Sequence, residues 1–361
     1  MSNASRQPSV WRLSTVSGVL ALALGVAAVL APSPFVVEMP GPVVNTLGEY
    51  DGKTIMKVSG KETFPSESEL DLTTVSAAGG PDRLILGAET LRGWIDPTFD
   101  VVPGEYMYPV GTTSEEQTAQ GAQEMVSSQQ LAVAAALKEL NIPYGYVTKV
   151  SGLATDANKA VVQPGDIVTA VNTTKVTDSD TLRKAVKESS GATVRLELKR
   201  GDKDLTVSAK VATLDDQGNP SASGTQRSLG LYVTTDFDFP LSVTFGIENI
   251  GGPSAGTMLA LGLIDQLTPG SLAGKRHVAG TGTITADGTV GPIGGIAQKV
   301  VAARDSGATV FLAPAGQNCA ELSGRVPSGL AVYSIATLHE ARTVVTALAD
   351  DGDMGQFTRC G

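Results

Sequence analysis

The pattern of apolar and polar positions along the chain changes period several times, and each change predicts a different element. From Leu13 to Ala31 it has no period: 19 uncharged, mostly apolar residues follow one another until Pro32-Ser33-Pro34. As a helix such a run is about 28 Å long, close to the hydrocarbon thickness of a bilayer. Period-two alternation then marks strands over 53–58 and 70–75, and Thr113-Ser114-Glu115-Glu116 has the spacing of a capping box opening a long helix that runs to about Leu140. Strand signals over 144–147, 162–172 and 193–198, with a helix over 181–186, outline a small β-rich module. A polar Gly/Ser/Pro stretch over 214–228 separates it from the C-terminal third of the chain. That third holds a strand over 241–247, an apolar helix from Met258 to Ile264, a helix from Ile296, strands over 308–312 and 330–333, and a closing helix over 337–348. The expected class is α+β and multidomain, with helices on a mixed sheet. Its segments are 1–34, 35–140, 141–213, 214–228, 229–350 and a tail 351–361.

Composition changes this picture in two respects. The 361 residues allow two or three domains, and a net charge of −10 without a basic cluster excludes a nucleic-acid surface. Arg6 and Arg12 precede the apolar run and no charge follows it until Glu38, so the run reads as a single-pass anchor with a cytoplasmic N-terminus and the remaining domains extracytoplasmic. A cleaved signal peptide ending near Val29-Leu30-Ala31 is the rival reading. Two cysteines, Cys319 and Cys360, suit an exported location, where they are free to pair; two unpaired thiols are the alternative. Residues 35–140 carry no catalytic cluster and are expected to be a spacer or scaffold that holds the downstream domains off the membrane.

Candidate chemistry centres on Gly251-Gly252-Pro253-Ser254-Ala255-Gly256. A turn presents Ser254 where a helix begins, beside backbone N–H groups that have no intrahelical partner and could hold an oxyanion. Gly252 and Ala255 flank it as supporting positions. A serine hydroxyl needs a base. Lys299 lies on a helix whose apolar positions are Ile296, Val300 and Ala303, so it points from the apolar face, where desolvation disfavours the ammonium form. Only His277 and His339 exist for a histidine triad, and both read as surface or structural.

Pro-Ser-Ala-Gly opening a helix, Gly280-Thr281-Gly282-Thr283, and Gly-x-Val-Gly-Pro-Ile-Gly-Gly ahead of a lysine resemble, in that order, the proteolytic domain of Lon proteases. The resemblance covers roughly residues 230–350 and implies a Ser-Lys dyad formed by Ser254 and Lys299, with Thr281 helping to hold the lysine. Lon sequences usually read Lys-Asp-Gly-Pro-Ser where this chain has Ile250-Gly251-Gly252-Pro253-Ser254. Residues 141–213 are similar to PDZ domains through Pro164-Gly165-Asp166-Ile167. That likeness implies a peptide tail held by Gly145, Tyr146 and Val147 beside Leu182 and Val186. No Gly-x-x-x-x-Gly-Lys-Ser/Thr loop and no metal-ligand spacing occur in these residues, so neither ATP nor another cofactor is expected. The reading is a membrane-anchored, ATP-independent serine endopeptidase acting on peptide or protein segments. Relatives of its protease domain often form rings, so a homo-oligomer is open. A catalytically silent peptide-binding adaptor and a self-processing regulator are the alternatives.

Overall fold

A computed structural model describes residues 10–109, 111–215, 226–247 and 250–361, with side chains from Thr15 onward. Two compact units result: Met1–Asn141 with Leu241–Gly361, and Ile142–Pro240 between them in sequence.

The first helix, α1, covers Val10–Leu30, and among the described residues no helix is long and apolar enough to cross a membrane. Residues 1–9 of the expected cytoplasmic N-terminus lie outside the described residues. Strand β1 (Phe35–Asn45), β2 (Glu69–Ala78), helix α2 (Gly87–Ile95), β3 (Asp100–Pro103) and helix α3 (Ser114–Glu139) follow. The α3 start is the expected capping box: the Thr113 hydroxyl accepts from the Glu116 amide and the Glu116 carboxylate accepts from the Thr113 amide.

The second unit contains β4 (Gly145–Leu153), β5 (Ile167–Val171), helix α4 (Ser179–Glu188), β6 (Thr193–Arg200), β7 (Lys203–Lys210) and β8 (Leu231–Asp238). They form one antiparallel sheet in the order β7-β6-β5-β4-β8 around Val150, Val168, Val171, Leu182, Leu196 and Leu198. The sequence pattern places strand β8 inside the protease domain. Instead all eight of its residues pair with β4, from Leu231 opposite Leu153 to Asp238 opposite Gly145, so this unit reaches Pro240. Of the expected linker, residues 216–225 lie outside the described residues, and Ala212–Leu214 pairs antiparallel with Gln226–Ser228.

The chain returns to the first unit with helix α5 (Gly256–Leu267), β9 (His277–Gly280), α6 (Ile296–Asp305), β10 (Val310–Pro314), β11 (Ala331–Ile335) and α7 (Leu338–Ala349). Their sheet runs β11-β10-β9-β2-β1-β3: parallel from β11 to β2, antiparallel beyond. Of the two expectations for segment 35–140, spacer or scaffold, the sheet supports a scaffold: three of its strands belong to this sheet. Strand β2 lies inside the sheet between β9 and β1, and it supplies Leu70 and Leu72, both at 0 % exposure, as the direct neighbours of Val278 and Gly280. Helix α5 is apolar nearly all round because α3, α7 and the sheet enclose it. Cys319 and Cys360 are bonded, with Cα atoms 5.0 Å apart, and fasten the tail, where Arg359 bridges to Tyr333 of β11.

Candidate active site

Three separate stretches of the first unit converge on Ser254. It stands two residues ahead of the first helical residue of α5, half-buried, in a turn that needs Gly252 at φ 85°, a region that favours glycine. Helix α3 holds that turn from behind. The Gly252 amide donates to the Gly121 carbonyl at 2.9 Å and the Ser128 hydroxyl to the Pro253 carbonyl at 2.9 Å. From the other side the Gly282 amide and the Thr281 hydroxyl both donate to the Ser254 carbonyl, at 2.9 and 3.1 Å.

Helix α6 brings in Lys299. Its start requires Gly295, which is left-handed at φ 65° and lies so close to β2 that an added Cβ would meet Val75 Cγ2 at 2.5 Å. Lys299 then projects from the buried face at 2 % exposure, with Nζ 2.8 Å from Ser254 Oγ and 3.0 Å from Thr281 Oγ1. Neither contact is to a carboxylate. Burial alone therefore pushes its ammonium down from 10.5 to about 8, which puts a fraction of neutral amine at hand near neutrality.

The cleft around the pair measures about 730 Å³ and is lined by Ser254, Lys299 and Thr283, by Met125 of α3, and by Glu38, Pro42 and Thr73–Ser76 of β1 and β2. A bulge between Pro40 and Val43 shapes that wall. Burial, and then Asp100 opposite it on β3, raise Glu38 above the usual carboxylate range. Most of this wall comes from residues to which the sequence pattern assigns no role. The signal available is β2's alternation of Leu70 and Leu72 with polar residues, which marks a strand but not the wall it forms. Among the described residues no His/Cys/Asp/Glu cluster suits a metal. Neither histidine enters the cleft: His277 sits against Asp71 at 2.6 Å, and His339 against Glu139 at 3.0 Å.

In the second unit the expected tail-binding residues separate. Leu182 and Val186 of α4 line a groove of about 460 Å³ whose other wall is Leu229, Leu231, Tyr232 and Val233. Gly145, Tyr146 and Val147 are not part of it. They lie in β4, which is hydrogen-bonded to β5 on one side and β8 on the other, and Tyr146 packs on Phe237 with ring centroids 5.5 Å apart. The strand at the end of the sheet is β8, facing α4, so an extended chain could add there and meet the Ser228-Leu229-Gly230-Leu231 turn at its start. That turn carries an apolar-Gly-apolar signal of its own, in a place that the sequence pattern assigns to the opening of the protease domain.

Two stretches of the chain are similar to known domains, a serine peptidase domain of the Lon type and a PDZ domain. Residues 233–348 match the family model for the Lon protease (S16) C-terminal proteolytic domain, and residues 141–211 match that of the PDZ domain. The Lon protease of Roseiflexus castenholzii is 41% identical over 92 residues, 24% of this chain and 11% of that protein. Lon protease 1 of Sorangium cellulosum is 38% identical over 106 residues, 29% of this chain and 13% of that protein. The chain thus spans little more than a tenth of the length of these curated relatives. Among solved structures, the PDZ domain of the SdrC-like protein from Listeria monocytogenes is 21% identical at a TM-score of 0.20, covering 24% of this chain and 86% of that one.

Proposed function

We propose that this chain is an ATP-independent serine endopeptidase using a Ser254–Lys299 dyad. The observation that carries the reading is the Lys299 Nζ to Ser254 Oγ contact of 2.8 Å at a lysine withdrawn from water and unpaired with any acid. In the reaction neutral Lys299 takes the Ser254 proton as Oγ attacks the peptide carbonyl. The oxyanion is held by backbone amides of the turn at Ser254, since the first amides of α5 itself, Gly256 and Thr257, already donate to the Pro253 and Gly282 carbonyls. The lysine ammonium then gives its proton to the leaving amine, and water repeats the sequence on the acyl-enzyme. Thr281 positions Nζ while its own hydroxyl proton is engaged by the Ser254 carbonyl. The PDZ groove between α4 and β8 receives substrate tails.

Residues 13–31 anchor the chain in a cell membrane, with both units outside the cytoplasm. The 19-residue uncharged run, the exposed apolar side chains along α1 and the Cys319–Cys360 bond support this, since a reducing cytosol opposes such a bond. The test is digestion of an unfolded protein by the purified full chain without ATP, beside Ser254→Ala and Lys299→Ala variants shown to be folded by circular dichroism. Cleavage by the parent and by neither variant is the expected result. A parent that binds tails but never cuts them would make the chain a binding adaptor.

A further inference from the structure

Helix α2 is mounted with its apolar side outward. Leu91 (45 %), Trp94 (63 %) and Ile95 (72 %) are exposed, together with Leu84 and Leu86 just before the helix, whereas the residues facing the body are Thr90 and Gly93. A helix packed in water on a core does the reverse. It is also locked that way. The Thr90 hydroxyl donates to Ser33 Oγ at 2.7 Å, and a Cβ on Gly93 would meet Val101 Cγ2 at 2.6 Å and Val37 Cγ1 at 3.1 Å. Only glycine allows the helix to lie this close to β1 and β3, so it cannot roll over to bury Leu91 and Ile95.

The outward face is continuous with α1. Gly87 donates its amide to the Ala31 carbonyl at 2.9 Å, and a Cβ there would strike the Ala28 carbonyl oxygen at 2.2 Å, so α2 starts against the C-terminal end of α1. Val29 joins Ala88, Leu91 and Ile95 around one shallow concavity whose remaining lining is Arg92, Asp96 and Pro97. On α1 the exposed apolar residues exceed one stripe: Val19, Leu22 and Val26 share a face at i, i+3 and i+7, whereas Leu20 and Leu24 lie on a different side of the axis. A single partner helix would cover one stripe, while lipid covers every side. At the junction Arg92 is exposed and rests its guanidinium over Phe99 at 5.3 Å from the ring centroid, with its charge at the level where headgroups would lie.

We infer that α2 is an interfacial helix that lays the catalytic unit on the bilayer, with Leu91, Trp94 and Ile95 in the boundary between headgroups and acyl chains. The inference rests on the anchor reading of residues 13–31, and the two tryptophans, Trp11 and Trp94, separate the two claims. The full chain is reconstituted into vesicles of phosphatidylcholine and phosphatidylglycerol, with and without bromine high on the acyl chains. Trp11→Phe reports Trp94 alone, and Trp94→Phe reports Trp11 alone. The expected result is bromine-dependent loss of emission from both residues, with Trp94 shifted to the blue. In the Trp11→Phe background, Leu91→Glu with Ile95→Glu should reduce the loss at Trp94. Quenching of Trp11 with Trp94 emission unshifted and unquenched overturns the inference and leaves the anchor standing. A blue-shifted but unquenched Trp94 also overturns it, since a second copy then covers the face. Quenching of Trp94 alone upholds the surface and removes the anchor, and quenching of neither removes both.

Discussion

Lys299 and Asp166 are almost equally withdrawn from water, at 2 % and 1 % exposure, and the two units treat them in opposite ways. Asp166 is fully partnered: Arg200 Nε and Nη2 donate to its two oxygens at 2.7 and 2.8 Å, and the Gln163 amide adds a third bond at 2.8 Å. Burial pushes its pKa up, but the Arg200 and Gln163 hydrogen bonds and the Arg200 charge outweigh it and hold it below the ordinary value. Lys299 has only hydroxyls for company, and its pKa falls. A buried charge that is paired fixes a turn, whereas one left unpaired is held ready to lose its proton. The second arrangement costs stability and makes chemistry available.

Removing the unpaired charge breaks the comparison most severely. Lys299→Met should lower turnover by roughly 10³-fold or more, as losing one member of a catalytic unit does. The same variant should be more stable than the parent by roughly 2–3 kcal/mol at neutral pH, because a lysine displaced from 10.5 to about 8 is charged there against its surroundings. Equilibrium unfolding checks the second half, and a destabilised variant would mean that Lys299 is a structural residue. Between about 8 and 10.5 the unfolded parent binds a proton that the folded one does not, so parental stability should rise with pH across that window, a slope missing from the variant. The rate should follow the neutral amine. Cleavage of a short peptide should climb about tenfold per pH unit below about 8 and level off above it. A profile flat through that region would assign the base to another group.

The paired charge predicts a different failure. Asp166→Ala leaves Arg200, at 35 % side-chain exposure, and the Gln163 amide without their acceptor, and should destabilise the second unit by about 2–4 kcal/mol. Turnover of a short peptide that needs no tail groove should be unchanged. Because the folded pKa is depressed, the pair's contribution is present above the unfolded value near 3.8 and is lost as pH falls through the lower folded value. Acid should therefore unfold the parent's second unit over a range in which the variant shows no further loss.

The same contrast explains what can be read from the chain. Ser254 and Lys299 are legible because the chemistry needs fixed local neighbours, glycines at a tight turn and a lysine on an apolar helix face, and these are sequence-local. The Thr113 capping box and the α7 helix are legible for the same reason. The cleft wall is not, because β2 meets β9 across more than 200 residues of chain and nothing within 69–78 records that partner. The tail groove is misplaced by the sequence pattern for a related reason. Gly145-Tyr146-Val147 and Leu229-Gly230-Leu231 have similar local patterns, and the difference between them is that β4 is bonded on both edges while β8 ends its sheet. Strand order is a tertiary property, so the short motif cannot choose. The outward face of α2 is equally hidden, since its apolar spacing suits burial and its direction is fixed by distant partners, Ser33 for Thr90 and Val37 with Val101 for Gly93.

The smallest predicted effect tests whether the wall contributes to the chemistry or only encloses it. Ser128 sits on α3 at 2 % exposure, 126 residues before the nucleophile, and its hydroxyl donates to the carbonyl of Pro253, the residue preceding Ser254. Ser128→Ala deletes that donor without adding volume and keeps the neighbouring Gly252–Gly121 backbone bond, so the turn should loosen rather than collapse. One neutral hydrogen bond is worth about 1 kcal/mol, which in a transition state corresponds to roughly a five- to tenfold lower rate. If Ser128 positions the nucleophile, the loss should appear in kcat with KM nearly constant, and the pH profile should keep its midpoint because Lys299 is untouched. If it only packs α3 against the turn, unfolding would become easier while kcat stayed at the parental value. The first outcome makes Ser128 of α3 a positioning residue for the nucleophile, and the second confines it to packing, with the Gly121–Gly252 bond left to hold the turn.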